Sequence, residues 1–332
     1  MSEHALPRRS LLRAAGVATA AGLALPAAGA AAQGYPNRPV RLVIGYPPGG
    51  SNDVTARIVQ PRLAELLGQP IVIENRPGAN ATLAADQVAR AAPDGYTLFL
   101  ASSSPLVIAP HTSAHVPYET PRDFAAITAL AATPSVLAVG PATRARTLEE
   151  FLAQARREQV NVASSGSGGL AHLAIEILRR EVSQNIVHVP YRGGGPAATD
   201  TMAGNVHGVI VDLAAVFGPI RDGKLRGLGV MSERRTSLLP DAPTFTEAGV
   251  PGVVAVNWIA VLAPRGTPQP ILARLHGALS QAADAPETRE RFAAVGLEPM
   301  THASPDAAHA FIRSEWDRWG GVARASGVRA DG

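Results

Sequence analysis

The stretch Pro47-Pro-Gly-Gly-Ser-Asn-Asp53 stands between an apolar run, Val40-Arg-Leu-Val-Ile-Gly-Tyr46, and a segment of helical periodicity over residues 54–67. The run before it is short and rich in β-branched residues, which predicts a buried strand, so the seven residues make a strand-to-helix turn. The device recurs. Ser102-Ser-Ser104, Ser164-Ser-Gly-Ser-Gly-Gly169 and Arg192-Gly-Gly-Gly195 each follow a predicted strand, and the last two also open a helix. Glycine lets a backbone approach a ligand closely, serine and asparagine add donors, and the free N–H groups of a first helical turn carry the positive end of its dipole. Any one of these turns alone reads more readily as an ordinary N-cap. Four of them at strand C-terminal ends, two in each predicted domain, point to one anion site, because such ends line up on one edge of a parallel sheet.

Working outward, strand-like and helix-like segments alternate almost throughout, which predicts an α/β fold with largely parallel sheets. Extended segments are expected at 71–74, 96–101, 124–130, 136–139, 160–164, 186–190, 206–212, 225–230 and 253–262, and three helices over 270–283, 286–295 and 305–326 close the chain. Too little strand remains at the end for a further domain. Those helices are therefore expected to return to the first domain, giving a discontinuous domain 1 (residues 33–134 and 254–332) and an inserted domain 2 (135–253). The chain would cross between them twice, near 130–136 and 253–262. Two crossings make a hinge, with the ligand in the cleft.

The chain of 332 residues, 46% hydrophobic and 17% charged, has the composition of a soluble globular protein. Its formal charge of +3 falls to +1 once Arg8, Arg9, Arg13 and Glu3 are set aside, leaving 27 basic against 26 acidic residues. That balance gives no basic surface for nucleic acid. The absence of cysteine excludes disulfides and thiolate metal sites. At the N-terminus, Arg8-Arg-Ser-Leu-Leu-Arg13, a weakly apolar stretch over 14–28 and Ala30-Ala-Ala32 before Gln33 read as a twin-arginine-type export signal over residues 1–32. A mature protein from Gln33 in a bacterial periplasm is expected.

The enzyme-like motifs of the sequence lack the context their chemistry needs. Gly218-Pro-Ile-Arg-Asp-Gly-Lys224-Leu225 has phosphate-loop spacing, but leucine stands where a magnesium ligand belongs and the helix precedes the loop. Gly166-Ser-Gly-Gly-Leu-Ala171 sits between strand and helix as a dinucleotide turn would, yet the next strand ends in Val189-Pro-Tyr-Arg192 without the acid that binds a ribose. There is no Gly-x-Ser-x-Gly elbow and no His-Glu-x-x-His. No nucleophile, base and orienter come together in the sequence, so no catalytic residue, cofactor or metal is assigned.

Tyr35-Pro-Asn-Arg-Pro39, the Pro47 to Asp53 stretch, Glu74-Asn-Arg-Pro-Gly-Ala79, Ala92-Pro-Asp-Gly-Tyr-Thr-Leu98, Ala163-Ser-Ser-Gly-Ser-Gly168, His188-Val-Pro-Tyr-Arg-Gly193, Leu239-Pro-Asp-Ala-Pro-Thr244 and Ala263-Pro-Arg-Gly-Thr-Pro268 occur in order along the chain. Together they resemble the Bug receptors, the extracytoplasmic solute receptors of tripartite tricarboxylate transporters. The resemblance implies a two-domain Venus-flytrap receptor of α/β fold, monomeric and without cofactor, that captures a small carboxylate and delivers it to membrane permease subunits. It implies a ligand site on the loops of Tyr46, Pro48, Gly49, Gly50, Ser51, Asn52 and Asp53, of Ser102, Ser103 and Ser104, and of Ser164, Ser165, Gly166 and Ser167. His172, Gly194 and Asp212 complete the candidate set. A periplasmic sensor presenting its bound state to a signalling partner, or an exported enzyme, are the alternatives.

The sequence departs from the family pattern at Asn52, where threonine is common, and at Asn80-Ala-Thr82, which replaces a glycine-rich stretch. Val211-Asp-Leu-Ala-Ala-Val-Phe217 is also more apolar than usual, which suits a ligand with an apolar body. Asp53 would repel an anion at contact distance and is expected to cap its own helix or orient water.

Overall fold

Val40, Leu42, Val43 and Ile44 have no exposed surface, as a strand covered on both faces requires. They belong to a computed structural model that describes residues 34–329. The export signal expected over residues 1–32 lies outside the described residues.

The strands, in chain order, are β1 (Val40–Ile44), β2 (Ile71–Asn75), β3 (Thr97–Ser102), β4 (Phe124–Val139), β5 (Val160–Ser164), β6 (Ile186–Pro190), β7 (Gly208–Asp212), β8 (Arg226–Val230), β9 (Val256–Pro264) and β10 (Glu298–Pro299). The helices are α1 (Ser51–Leu67), α2 (Thr82–Ala89), α3 (Ala109–Thr112), α4 (Thr120–Asp123), α5 (Leu148–Arg157), α6 (Leu170–Glu181), α7 (Gly194–Met202), α8 (Leu213–Arg221), α9 (Gln269–Asp284), α10 (Pro286–Ala293) and α11 (Pro305–Ser326). The main path of the sheet runs β2-β1-β3-β9-β4-β7-β5-β6, with β8 and β10 also paired to β4. The outer groups are parallel and the middle is antiparallel. The architecture is mixed α/β, the class expected from the alternating segments of the sequence.

β4 is the seam. Two separate extended pieces were expected around residues 130–136, and the structure has one strand of 16 residues there. Its residues 124–134 pair with β9, while 135–139 pair with β7 and β8. Pro134 falls at that change of partner, where a missing N–H interrupts the ladder least. From Pro36 onward the chain forms one compact unit.

Helix starts follow from local chemistry. Gly50 takes an extended conformation (φ −80°, ψ 169°) and opens α1, and Asp53 in its first turn accepts from the Gly49 N–H at 3.0 Å. α1 ends at Gly68, whose φ of 69° lets its N–H return to the carbonyls of Ala64 and Glu65. The closing helices lie where the apolar pattern sends them, α9 on α1 and β4, and α11 on β4. α11 is pinned by its buried Glu315, which accepts from Trp258 Nε1 at 2.9 Å, from Trp319 Nε1 at 3.1 Å and from Arg318 at 3.1 Å. Among the described residues no helix is long and apolar enough to cross a membrane.

Candidate functional site

The C-terminal ends of β1, β3, β5, β6 and β7 open toward one another, and the turns that follow them enclose a small cavity. Gly50, Ser51 and Asn52 line it from the start of α1, Leu170 and Ala171 from α6, Gly193, Gly194, Gly195 and Pro196 from α7, and Asp212 and Ala215 from α8. Four helices thus begin at one void, and the first turn of a helix carries the positive end of its dipole. Tyr46, Pro47, Ser102, Ser104, Ser165, Val211 and Asn257 complete the wall, which contains no Arg, Lys or His. Measured to the centre of a water-sized sphere, the free space is about 40 Å³.

Contacts cross the cavity between the two ends of the sheet. Ser51 Oγ donates to Asp212 Oδ2, and Asn257 Nδ2 donates to the same oxygen at 2.7 Å. Asn257 Oδ1 in turn accepts from the N–H of Ser103 at 3.1 Å and its hydroxyl at 2.8 Å. Ser104 Oγ accepts from the N–H of Leu170 at 3.1 Å, joining the turn after β3 to the start of α6. Burial raises the Asp212 carboxyl above the ordinary range, opposed by the hydrogen bonds from Ser51 and Asn257. Burial likewise raises the Tyr46 hydroxyl.

Asn52 differs from its neighbours. It is 3% exposed, and neither its amide oxygen nor its amide nitrogen has a protein hydrogen-bond partner. A buried amide left this way costs about 1–3 kcal/mol per unmet group unless something else meets it.

The candidate residues divide by position. Tyr46, Gly50, Ser51, Asn52, Ser102, Ser104, Ser165, Gly194 and Asp212 line the cavity. Pro48, Gly49, Asp53, Ser103, Ser164, Gly166, Ser167 and His172 do not. Asp53 is turned onto its own helix, held by Arg57 at 2.9 Å, the Gly49 N–H at 3.0 Å and Asn75 at 3.2 Å. Burial pushes its carboxyl up, but those bonds bring it below the ordinary range. Ser103 serves Asn257. Ser164 has no exposed surface and meets the half-buried His188 Nε2 at 2.6 Å. His172 lies apart, stacked on His188 with ring centroids 4.0 Å apart, its Nδ1 accepting from Gly168 N–H at 2.9 Å. Phe217 is partly buried and packs against the β7–α8 core.

Sequence reading missed Asn257 and Asn80. Asn257 had a signal, a lone amide inside an apolar run. Asn80 had little, because its position depends on Ala79, Asn80 and Ala81 all adopting positive φ (44°, 50° and 71°). That conformation directs Asn80 Oδ1 to the Tyr46 hydroxyl at 2.7 Å. A second and larger space of about 550 Å³ lies on the other side of Tyr46 and Ser165, which line both. Its wall includes Asn80, Asp86, His115, Gly166, Ser167 and Arg192. Among the described residues no group of three or more His, Asp or Glu could hold a metal ion.

Against known proteins, residues 55–328 match the family described as the tripartite tricarboxylate transporter family receptor. The chain is 38% identical to Protein BugT of Bordetella pertussis, over 93% of this chain and 94% of that protein. Among solved structures, an R. palustris protein with adipate is 31% identical with a TM-score of 0.84, covering 89% of this chain and 99% of that one. MatC of Rhodopseudomonas palustris, with bound malate, is 32% identical with a TM-score of 0.82, over 87% of this chain and 99% of its own.

Proposed function

The chain belongs to the tripartite tricarboxylate transporter receptor family, and from that premise we propose that it is a periplasmic receptor that holds a small carboxylate in the cavity beside Asn52 and delivers it to an inner-membrane permease. The observation that carries the reading is Asn52, buried with both amide atoms unpaired at a void where four helices begin. A carboxylate there would accept from the amide nitrogen and the first-turn N–H groups, while its hydroxyl or bridging water would meet the amide oxygen. Charge is supplied by helix ends, each worth about 0.3–1 kcal/mol or more when partly buried, so the wall needs no arginine. Relatives solved with adipate and malate support the ligand class.

Residues 33–134 with 254–332, and residues 135–253, act as the two domains of the cycle, and they close about β4 and β9. Ser51 and Asn257 on Asp212, and Ser104 on Leu170, are the bonds that closure makes. The ligand's preference for closed over open sets the shift, at about 1.4 kcal/mol per tenfold.

The test is a thermal-shift screen of the protein from Gln33 onward, stripped of ligand by unfolding and refolding, against carboxylates, amino acids, nucleotides and nicotinamide cofactors. Carboxylates should raise the melting temperature, since a ligand at a hundredfold excess over Kd adds about 2.7 kcal/mol. A shift with a nicotinamide cofactor instead would overturn the reading and make Gly166 to Ala171 a cofactor turn.

A further inference from the structure

The turn between β5 and α6, whose Ser165 lines the cavity, is gripped from two sides. Residues of the proposed domain 1 hold one side, where Thr112 Oγ1 donates to the Gly168 carbonyl at 2.9 Å and Ser104 Oγ accepts from the Leu170 N–H at 3.1 Å. Two imidazoles hold the other. His172 Nδ1 accepts from the Gly168 N–H at 2.9 Å. His188 Nε2 meets Ser164 Oγ at 2.6 Å, and that hydroxyl also joins the Gly166 N–H at 3.2 Å and the Gly166 carbonyl at 3.1 Å. Gly166 and Gly168 both take positive φ (154° and 70°), where glycine has many alternatives, so these bonds decide the shape of the turn.

The arrangement suits neutral rings. The two imidazoles stack with centroids 4.0 Å and planes 17° apart. A neutral ring whose Nδ1 accepts carries its hydrogen on Nε2, so a proton added to His172 goes to Nδ1 and displaces the Gly168 N–H. Charging both rings sets like charges side by side. The hollow that both rings line contains three other charged groups, Glu176 and Arg179 on α6 and Arg329 beyond the end of α11. Glu176 stands 3.8 Å from His172 Nε2, but Arg179 already holds it at 2.9 and 3.1 Å, and Arg329 adds a second positive charge. β5 and β6 bring no charged group there besides His188 itself. Burial keeps both rings below the ordinary histidine range, and the neighbouring ring adds to this at His188. Both rings are only partly buried, so a proton can reach them.

We propose that His172 and His188 are positioning residues for the binding turn, propping it from behind while both rings are neutral, so that proton uptake competes with closure on the ligand. This rests on the carboxylate-receptor reading and on the two-domain closure above. Without the bonds from Thr112 and Ser104 the turn can yield to a proton. Once they form, the turn is fixed and the proton must leave. A ring that titrates at the ordinary value of about 6.5 in the open state and stays neutral in the closed one weakens binding about tenfold at about pH 5.5 and very little at about pH 7.5.

The experiment is calorimetric titration with malate and with adipate at about pH 7.5 and about pH 5.5, in the wild type, His172→Gln, His188→Gln and His172→Ala, with NMR of the unliganded wild type across the same range. On acidification the wild type should lose about three- to tenfold more affinity than either glutamine variant. The ligand's own carboxyl groups and Asp212 are present in every protein compared, so the difference between proteins isolates the rings. His172→Ala should weaken binding at both pH values, and His172→Gln, whose amide oxygen can still accept from Gly168, should recover part of the loss at the higher pH. In the NMR titration the Gly168 amide resonance should move together with the His172 ring. An acid loss equal in the wild type and both glutamine variants overturns the prop, as does a Gly168 resonance that stays still across the range. If neither acid binds at either pH, the receptor reading fails, and the NMR titration still decides the prop.

Discussion

Two regions bury polar side chains, and they differ in how completely those groups are met. Under α11, Glu315 receives both indole N–H groups and the Arg318 guanidinium, so that buried charge is answered within the protein. At the cavity, Asn52 is more deeply buried and unanswered. A satisfied cluster holds a fold together, while an unsatisfied one is a cost that the fold carries until a ligand removes it. On the proposed reading, the difference separates stability from binding residue by residue.

The largest expected effect lies on the satisfied side. Glu315→Leu leaves two buried indole N–H groups without an acceptor and should cost about 3 kcal/mol in urea-induced unfolding, with carboxylate affinity unchanged. The inverse is expected of Asn52→Leu. Removing unmet polar atoms should leave stability equal or slightly higher, while carboxylate affinity falls at least about tenfold by calorimetry. If Asn52→Leu instead destabilised the protein as Glu315→Leu does, the distinction between the two regions would be lost.

Asp53 offers a smaller test. Because it is turned onto Arg57 and the Gly49 N–H, Asp53→Asn should lower stability by about 1 kcal/mol and leave ligand affinity within about twofold. A tenfold gain in affinity would mean that Asp53 repels the ligand directly. The smallest effect is a slope with pH. Burial and the neighbouring His172 push His188 down to about 3, so between that value and the ordinary histidine range the unfolded chain binds a proton that the folded chain refuses. Stability should therefore fall as pH drops below about 6.5, and His188→Gln should flatten that slope in thermal melts across pH.

What could be read from the sequence followed the reach of each signal. Strand-to-helix turns are local, and Pro47 to Asp53, Ser164 to Gly169 and Arg192 to Gly195 declare themselves through glycine, serine and flanking periodicity. The continuity of β4 was not legible, because Pro134 breaks the apolar run while the partner strands on either side, β9 and β7, lie far away in sequence. Which serine faced the cavity was hidden for a related reason. Ser102, Ser103 and Ser104 look alike, and only the distant Asn257 draws Ser103 aside. That His172 stands away from the cavity was not legible, because its stacking partner His188 is placed by the long-range pairing of β5 with β6.

A positive potential assembled from four helix starts has no pKa. It cannot be titrated away, acetylated, or removed by one side-chain replacement, because it belongs to the main chain. A lineage that exchanged Val211, Ala215 or Asn80 could change the body of its ligand and keep hold of the acid end throughout. Such a scaffold allows diversification by small steps, since no intermediate has to give up the grip before acquiring a new preference.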